Sequence, residues 1–216
     1  MSKLRAIVFD FDGVVLESAD VKTDAFMALY ESYGPEIVRQ VREHHLQNMG
    51  ISRFKKFTWI AEHLLGTTLT EAELVELGER FSALALERVL AAPFVPGADI
   101  ALAELSAQYP LFVASGTPHE ELTMIVERRG LAPRFREVHG TPVEKPTILR
   151  DVMSRFSFDC TEVLFIGDGM SDYKAARETG VEFLARDTDA LRDEWTRLGT
   201  RRAPDLTTLM ERVQTW

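Results

Sequence analysis

Ala6-Ile7-Val8-Phe9-Asp10-Phe11-Asp12-Gly13-Val14-Val15 is the stretch on which the fold turns. Four apolar residues in a row, ended by an acidic, glycine-containing turn, read as a short strand buried on both faces, the kind found in parallel sheets. Such a strand delivers Asp10 to its carboxyl end. Two later segments repeat the arrangement: Leu111-Phe112-Val113-Ala114 runs into Ser115-Gly116-Thr117, and Val163-Leu164-Phe165-Ile166 runs into Gly167-Asp168-Gly169. Helix-compatible stretches follow at 119–129 and 171–179, and 181–185 reads as a further strand. This alternation predicts an α/β fold, a Rossmann-like parallel sheet with helices on both faces. Ligands in such sheets sit outside the carboxyl ends of the strands, so the polar residues ending these runs are expected to converge on one crevice.

Between the first strand and the next core element lies a long helical region. Phe26, Leu29 and Tyr30, then Phe54, Phe57, Ile60, Ala61 and Leu64, then Leu74, Leu77, Phe81 and Leu84 recur at three- and four-residue steps. Gly34-Pro35 and Gly66-Thr67-Thr68 punctuate these helices, and Pro93-Phe94-Val95-Pro96-Gly97 marks the return to the core. The predicted organisation is a catalytic core of residues 1–16 and 93–216 with a helical cap, 17–92, inserted after the first strand. Trp59, Phe54 and Phe57 are expected in the cap's own core. The tail from residue 187 is expected to hold more helix and a short strand near Pro204.

The 216 residues are 45% apolar and 27% charged, ordinary globular usage that excludes a disordered or fibrous chain. A formal charge of -9 argues against general affinity for nucleic acid or anionic membranes, so any phosphate must be captured locally. No apolar run approaches the roughly 20 residues of a spanning helix, and residues 1–10 are too short and too soon charged for a signal peptide. A cytoplasmic location is therefore expected. Cys160 is the single cysteine, which excludes an intramolecular disulfide or a cysteine-based metal site. The histidines, His44-His45, His63, His119 and His139, show no metal-binding spacing, and His119 reads as a capping or surface residue.

Several residues have side chains suited to chemistry. Asp10 and Asp12, two apart, can aim into one site if the chain leaves extended geometry at the strand end, a freedom Gly13 supplies; alone, such a pair also serves as turn or capping chemistry. Ser115-Gly116-Thr117 offers hydroxyls and a backbone amide suited to phosphate oxygens. Lys145, at the start of a predicted helix, can place a compact positive charge beside a phosphoryl group, or be a solvated surface lysine. Asp168 ends an apolar strand and Asp172 follows at a helix start, carboxylates of the kind hard magnesium takes. Arg53 can form a bidentate contact with a remote phosphate or carboxylate, or cap its own helix at the surface.

Together, Asp10-Phe11-Asp12-Gly13, Ser115-Gly116-Thr117, Lys145-Pro146 and Gly167-Asp168-Gly169-Met170-Ser171-Asp172 resemble the four motifs of the haloacid dehalogenase superfamily, in order. The insertion after the first motif is similar to the helical cap of its phosphoglycolate phosphatase-like and β-phosphoglucomutase-like branch. The resemblance implies a magnesium-dependent phosphatase acting on a small phosphorylated metabolite through an aspartyl-phosphate. In that scheme Asp10 is nucleophile and metal ligand, and Asp12 is acid and base with its carbonyl on Mg2+. Ser115, Gly116 and Lys145 hold phosphoryl oxygens, Asp168 holds the metal, and Asp172 supports the metal or orients Lys145. Gly169 stands where many relatives carry Ser. Dehalogenating and phosphonate-cleaving relatives lack the second aspartate, so Asp12 implies phosphoryl transfer. A phosphomutase is the alternative: Gly50-Ile51-Ser52-Arg53 resembles the cap loop whose Arg grips a second phosphate, whereas Lys22 stands where hexose-phosphate mutases carry a His. A non-catalytic phosphometabolite-binding protein is the other alternative, and product analysis separates the three.

Overall fold

The computed structural model describes residues 3–216, so residues 1 and 2 of the expected core lie outside the described residues. Strand β1 (Ala6–Phe9) is followed by helices α1 (Ala19–Leu29), α2 (Pro35–Gln47), α3 (Arg53–His63) and α4 (Glu71–Ala91), and then α5 (Ala98–Leu105) leads to β2 (Leu111–Pro118). From there helix and strand alternate through α6 (His119–Arg128), β3 (Glu137–Thr141), α7 (Lys145–Phe156), β4 (Val163–Gly167), α8 (Met170–Thr179), β5 (Glu182–Arg186), α9 (Arg192–Leu198), β6 (Arg202–Ala203) and α10 (Leu209–Gln214).

The six strands form one sheet in the order β3-β2-β1-β4-β5-β6, every pair parallel. β1 is the centre because all four of its side chains are apolar and wholly buried, which a strand covered on both faces requires. Phe9 is in register with Val113 of β2 and Ile166 of β4, so Asp10, Ser115 and Asp168, which follow these positions, lie at the same end of the sheet. The chain builds outward from β1 to β3, then crosses back to β4. The strand order therefore reverses beside β1, where doubly wound sheets bind ligands.

The pleat sorts the core into two layers. Ile7, Phe9, Val113, Leu164 and Ile166 face the layer that includes Ala101, Leu102 and Leu105 of α5, Ile125 of α6 and Val213 of α10. Ala6, Val8, Phe112, Ala114 and Phe165 face Ile148, Leu149 and Val152 of α7, Ala176 of α8 and Trp195 of α9. The first layer continues through Phe11, Val14 and Leu16 into the helices between β1 and β2. There Phe26 of α1 lies with its ring centroid 5.6 Å from Phe57 of α3 and 4.7 Å from Phe81 of α4, the aromatic centre the spacing predicts.

Helix α4 begins where Thr70 and Glu73 satisfy each other's free amides, with Thr70 N–H donating to Glu73 at 2.8 Å and Glu73 N–H to Thr70 Oγ1 at 3.3 Å. The chain's exit into the helices and its return lie side by side: Glu17 N–H donates to the Pro93 carbonyl at 2.9 Å, and Val95 N–H to the Val15 carbonyl at 3.1 Å. The structure adds two elements the apolar pattern does not announce, α5 and β3. β3 has the sequence Glu-Val-His-Gly-Thr, half polar because it is an edge strand with one neighbour. No helix among the described residues is long and apolar enough to cross a membrane.

Candidate active site

Backbone geometry at the strand ends decides where the carboxylates point. Asp10 follows β1, Asp168 follows β4, and Asp172 sits in the first turn of α8, where its Oδ2 accepts the Gly169 N–H at 3.0 Å. Gly13 has φ +77°, and a Cβ there would lie 2.1 Å from Asp168 Oδ2, so the turn after Asp12 closes over Asp168 only with glycine. Lys145, first residue of α7, reaches back into the crevice and bridges Asp10 Oδ2 at 2.9 Å and Asp172 Oδ1 at 2.5 Å. Asp10 Oδ1 accepts the Phe11 N–H at 2.7 Å.

Oxygens of Asp10, Asp168 and Asp172 lie within 4.8 Å of one another, all buried, with one lysine among them. Burial pushes Asp10 up to about 7, with the Lys145 ammonium opposing and the Asp172 and Asp12 charges adding to the rise. Burial also raises Asp168 well above its ordinary value, reinforced by Asp10 and Asp172. Lys145 is driven the other way: burial disfavours its charge, but the Asp10 and Asp172 carboxylates outweigh that and keep it protonated. Asp168 Oδ2 is buried with no hydrogen-bond partner among the described residues. A site with this surplus of negative charge, and a carboxylate oxygen left unpaired, fits a hard divalent cation such as Mg2+.

Asp12 has a different environment. Its Oδ1 accepts Ser18 Oγ–H at 2.7 Å, and its Oδ2 accepts Thr117 Oγ1–H at 3.0 Å together with the Lys22 ammonium. Burial acts to raise it, but the Lys22 charge and the three side-chain hydrogen bonds prevail and hold it below its ordinary value. Two aspartates two residues apart are thus shifted in opposite directions, the pattern expected of groups with different duties. Thr117 links Asp12 to β2, its N–H donating to Ser115 Oγ at 3.2 Å; Ser115-Gly116-Thr117 are part of β2 itself, at an irregularity in its pairing with β3.

A cavity of about 50 Å³ lies between this floor and helices α1–α4. Asp10, Asp12, Ser115 and Gly116 line it from the sheet side, and Lys22, His45, Arg53 and Lys56 from the other. The loop 48–52 presses onto the floor: Ser171 Oγ–H donates to the Met49 carbonyl at 2.7 Å, and Gly50, at φ +79°, leaves so little room that a Cβ would fall 2.9 Å from Lys145 Nζ. Beyond this loop a larger groove of about 810 Å³, bounded by His119, Lys145 and Lys174 among others, opens to the surface.

Arg53 lines the cavity with its guanidinium engaged elsewhere. It donates to Glu121 of α6 at 3.0 and 2.5 Å and to Ser82 Oγ at 2.8 Å, stacked 4.5 Å above the Phe81 ring. Sequence reasoning anticipated neither Glu121 nor the partners of Lys22; it missed Lys56 altogether and considered His45 only as a metal ligand. A signal was present: Arg53, Lys56, Phe57 and Ile60 form one stripe at helical spacing, and two cations on an otherwise apolar stripe mark a functional face.

A family model described as haloacid dehalogenase-like hydrolase matches residues 4–180, most of the chain and all four motifs. The chain belongs to the haloacid dehalogenase-like hydrolase family. It is 26% identical over 190 residues to the phosphoglycolate phosphatase of Synechococcus elongatus, covering 84% of this chain and 83% of that protein. It is also 26% identical over 192 residues to the N-acetylmuramic acid 6-phosphate phosphatase of Pseudomonas aeruginosa, with 85% and 81% covered. Its fold matches that of the β-phosphoglucomutase of Clostridium difficile with a TM-score of 0.77 at 17% identity over 98% of this chain and 96% of that one. The family's Rossmann-like core is thus the sheet described above.

Proposed function

We propose that this hydrolase cleaves a small phosphate monoester by transferring the phosphoryl group to Asp10 and then to water, with Mg2+ bound. The observation carrying this reading is the convergence of Asp10, Lys145, Asp168 and Asp172 on one buried point, with Asp12 held apart by its own partners. Asp10, the Asp12 carbonyl and Asp168 would hold the cation, which supplies positive charge against the phosphoryl oxygens.

The chain's own groups supply the rest. An Asp10 carboxylate oxygen forms a bond to phosphorus as the ester P–O bond breaks, and Asp12 gives its proton to the departing alkoxide. The substrate's negative charge beside Asp12 favours its protonation for this half. Asp12, then a carboxylate stabilised by Lys22, Ser18 and Thr117, takes a proton from water, whose oxygen attacks phosphorus and restores Asp10. Ser115, the Gly116 amide and Lys145 bind the transferring oxygens, and Asp172 fixes Lys145. Arg53 would act on the substrate from a guanidinium already anchored to Glu121. That anchorage, and Lys22 rather than His beside Asp12, support hydrolysis over a mutase that must grip a second phosphate.

The test compares Asp10→Asn and Asp12→Asn on an activated aryl phosphate and an alkyl phosphate, by phosphate release with magnesium. Asp10→Asn should be inactive on both. Asp12→Asn should lose roughly 10²–10⁴-fold on the alkyl ester and far less on the aryl ester, whose leaving group needs no proton. Equal losses on both esters, or phosphate trapped on another residue, would overturn the mechanism.

A further inference from the structure

The wall opposite the sheet holds a buried cation with no counter-ion. Lys56 of α3 is 2% exposed and lines the cavity; its Nζ lies 3.0 Å from His45 Nδ1 and 5.2 Å from the centroid of the Phe26 ring. Among the described residues no carboxylate lies within ion-pair distance of it. The two other cations on this wall are neutralised, Lys22 by Asp12 and Arg53 by Glu121. An ammonium in such a place is destabilising until an anion joins it.

His45 completes the feature. Burial, then the Lys56 and Lys22 charges, push its imidazole down to about 2, so it is neutral. With Lys56 protonated, Nδ1 accepts from its ammonium and the ring proton sits on Nε2 as a second donor. Two donors of this kind, across a small cavity from the phosphoryl-binding floor, suit an anion on the leaving-group side of a substrate.

We propose that Lys56 and His45 form an anion subsite for a substrate carboxylate, and that the substrate class is a compact phosphorylated carboxylic acid. This rests on the phosphomonoesterase reading above. Size and charge favour a carboxylate over a second phosphate. The cavity of about 50 Å³ has room for about four waters, at roughly 10–15 Å³ each. One ammonium matches one unit of negative charge, and the Arg53 fork is engaged by Glu121, so Arg53 can touch the substrate but has no fork left to chelate a second phosphate.

The experiment measures kcat/KM of the full chain with magnesium for phosphoglycolate, for ethyl phosphate, which lacks the carboxylate, and for ethylene glycol bisphosphate. The wild type should prefer phosphoglycolate to ethyl phosphate by about 10- to 100-fold, as expected for one charge-assisted hydrogen bond. Lys56→Met should collapse that ratio, chiefly through KM for the acid, and Lys56→Arg should recover part of it; far-ultraviolet circular dichroism checks that each variant folds. A wild-type ratio near one, equal losses on both esters, or a Lys56-dependent preference for the bisphosphate would overturn the subsite. Should no ester turn over, calorimetric binding with magnesium decides separately. Phosphoglycolate binding more tightly than ethyl phosphate, and only with Lys56 present, upholds the subsite while the phosphatase reading falls; equal binding sinks the subsite.

Discussion

A buried cation without a counter-ion should make the protein less stable, and Lys56→Met reads that cost without any ligand. Burial, with Lys22 and Lys145 adding to it and Asp12 and Asp168 opposing, lowers Lys56 from its ordinary 10.5 to about 7. That fall, at about 1.4 kcal/mol per pH unit, sets a ceiling of about 5 kcal/mol on the penalty of burying the charged form. Methionine keeps the length and apolar stem of the side chain but forfeits the hydrogen bond to His45. Half the ceiling, about 2.5 kcal/mol, corresponds to a rise in Tm of about 5–10 °C for a chain of this size. The sign against pH follows from linkage. Below about 7 the lysine is protonated in both folded and unfolded chains, and the full penalty is present. Between about 7 and 10.5 the folded protein releases the proton first, so the penalty shrinks and vanishes above 10.5. Thermal unfolding of metal-free wild type and variant at about pH 6, 8 and 9.5 checks this, and the variant's advantage should be largest at the lowest pH. A variant no more stable than wild type at pH 6, or an advantage that grows with pH, would refute the account of Lys56 as an uncompensated buried charge.

Other expectations concern the floor of the site and the loop above it. Gly50→Ala would set a Cβ 2.3 Å from Ser171 Oγ and 2.9 Å from Lys145 Nζ at a φ of +79°; kcat/KM should drop about tenfold or more on every ester whatever its leaving group, since about 1–2 kcal/mol comes from the backbone alone. Full activity in this variant would show that the loop need not close as it does here. Asp168→Asn removes the carboxylate whose Oδ2 has no partner; in thermal shift assays the wild type should gain stability on adding magnesium, and the variant should not. A magnesium-dependent rise of equal size in both proteins would place the cation elsewhere.

Much of this molecule is legible in one dimension. Each of Ala6–Phe9, Leu111–Ala114 and Val163–Ile166 is an apolar run too short for a helix and ends at polar, glycine-bearing residues. Apolar run and turn chemistry are local properties, so the strands, their parallel pairing and the convergence of Asp10, Ser115 and Asp168 could be read without coordinates, while Lys145 joined them only through the family resemblance. β3 escaped because an edge strand that is half exposed has no apolar run to read. Local pattern placed Asp172 only at a helix start; the resemblance had it support the metal or orient Lys145, and its bond to Lys145 depends on α7 lying beside α8. The cavity wall was hidden more thoroughly. Lys22, His45, Arg53 and Lys56 come from three helices, and the sequence singled out Arg53 and Lys22 but gave no reason to pick Lys56 or to place His45 beside it. Only the packing of Phe26, Phe57 and Phe81, with α6 close enough to offer Glu121, leaves Arg53 paired and Lys56 without a carboxylate. Helical periodicity states which face of a helix is buried; which charge meets a partner across that face is decided by the placement of helices far apart in the chain, which local backbone preference does not encode.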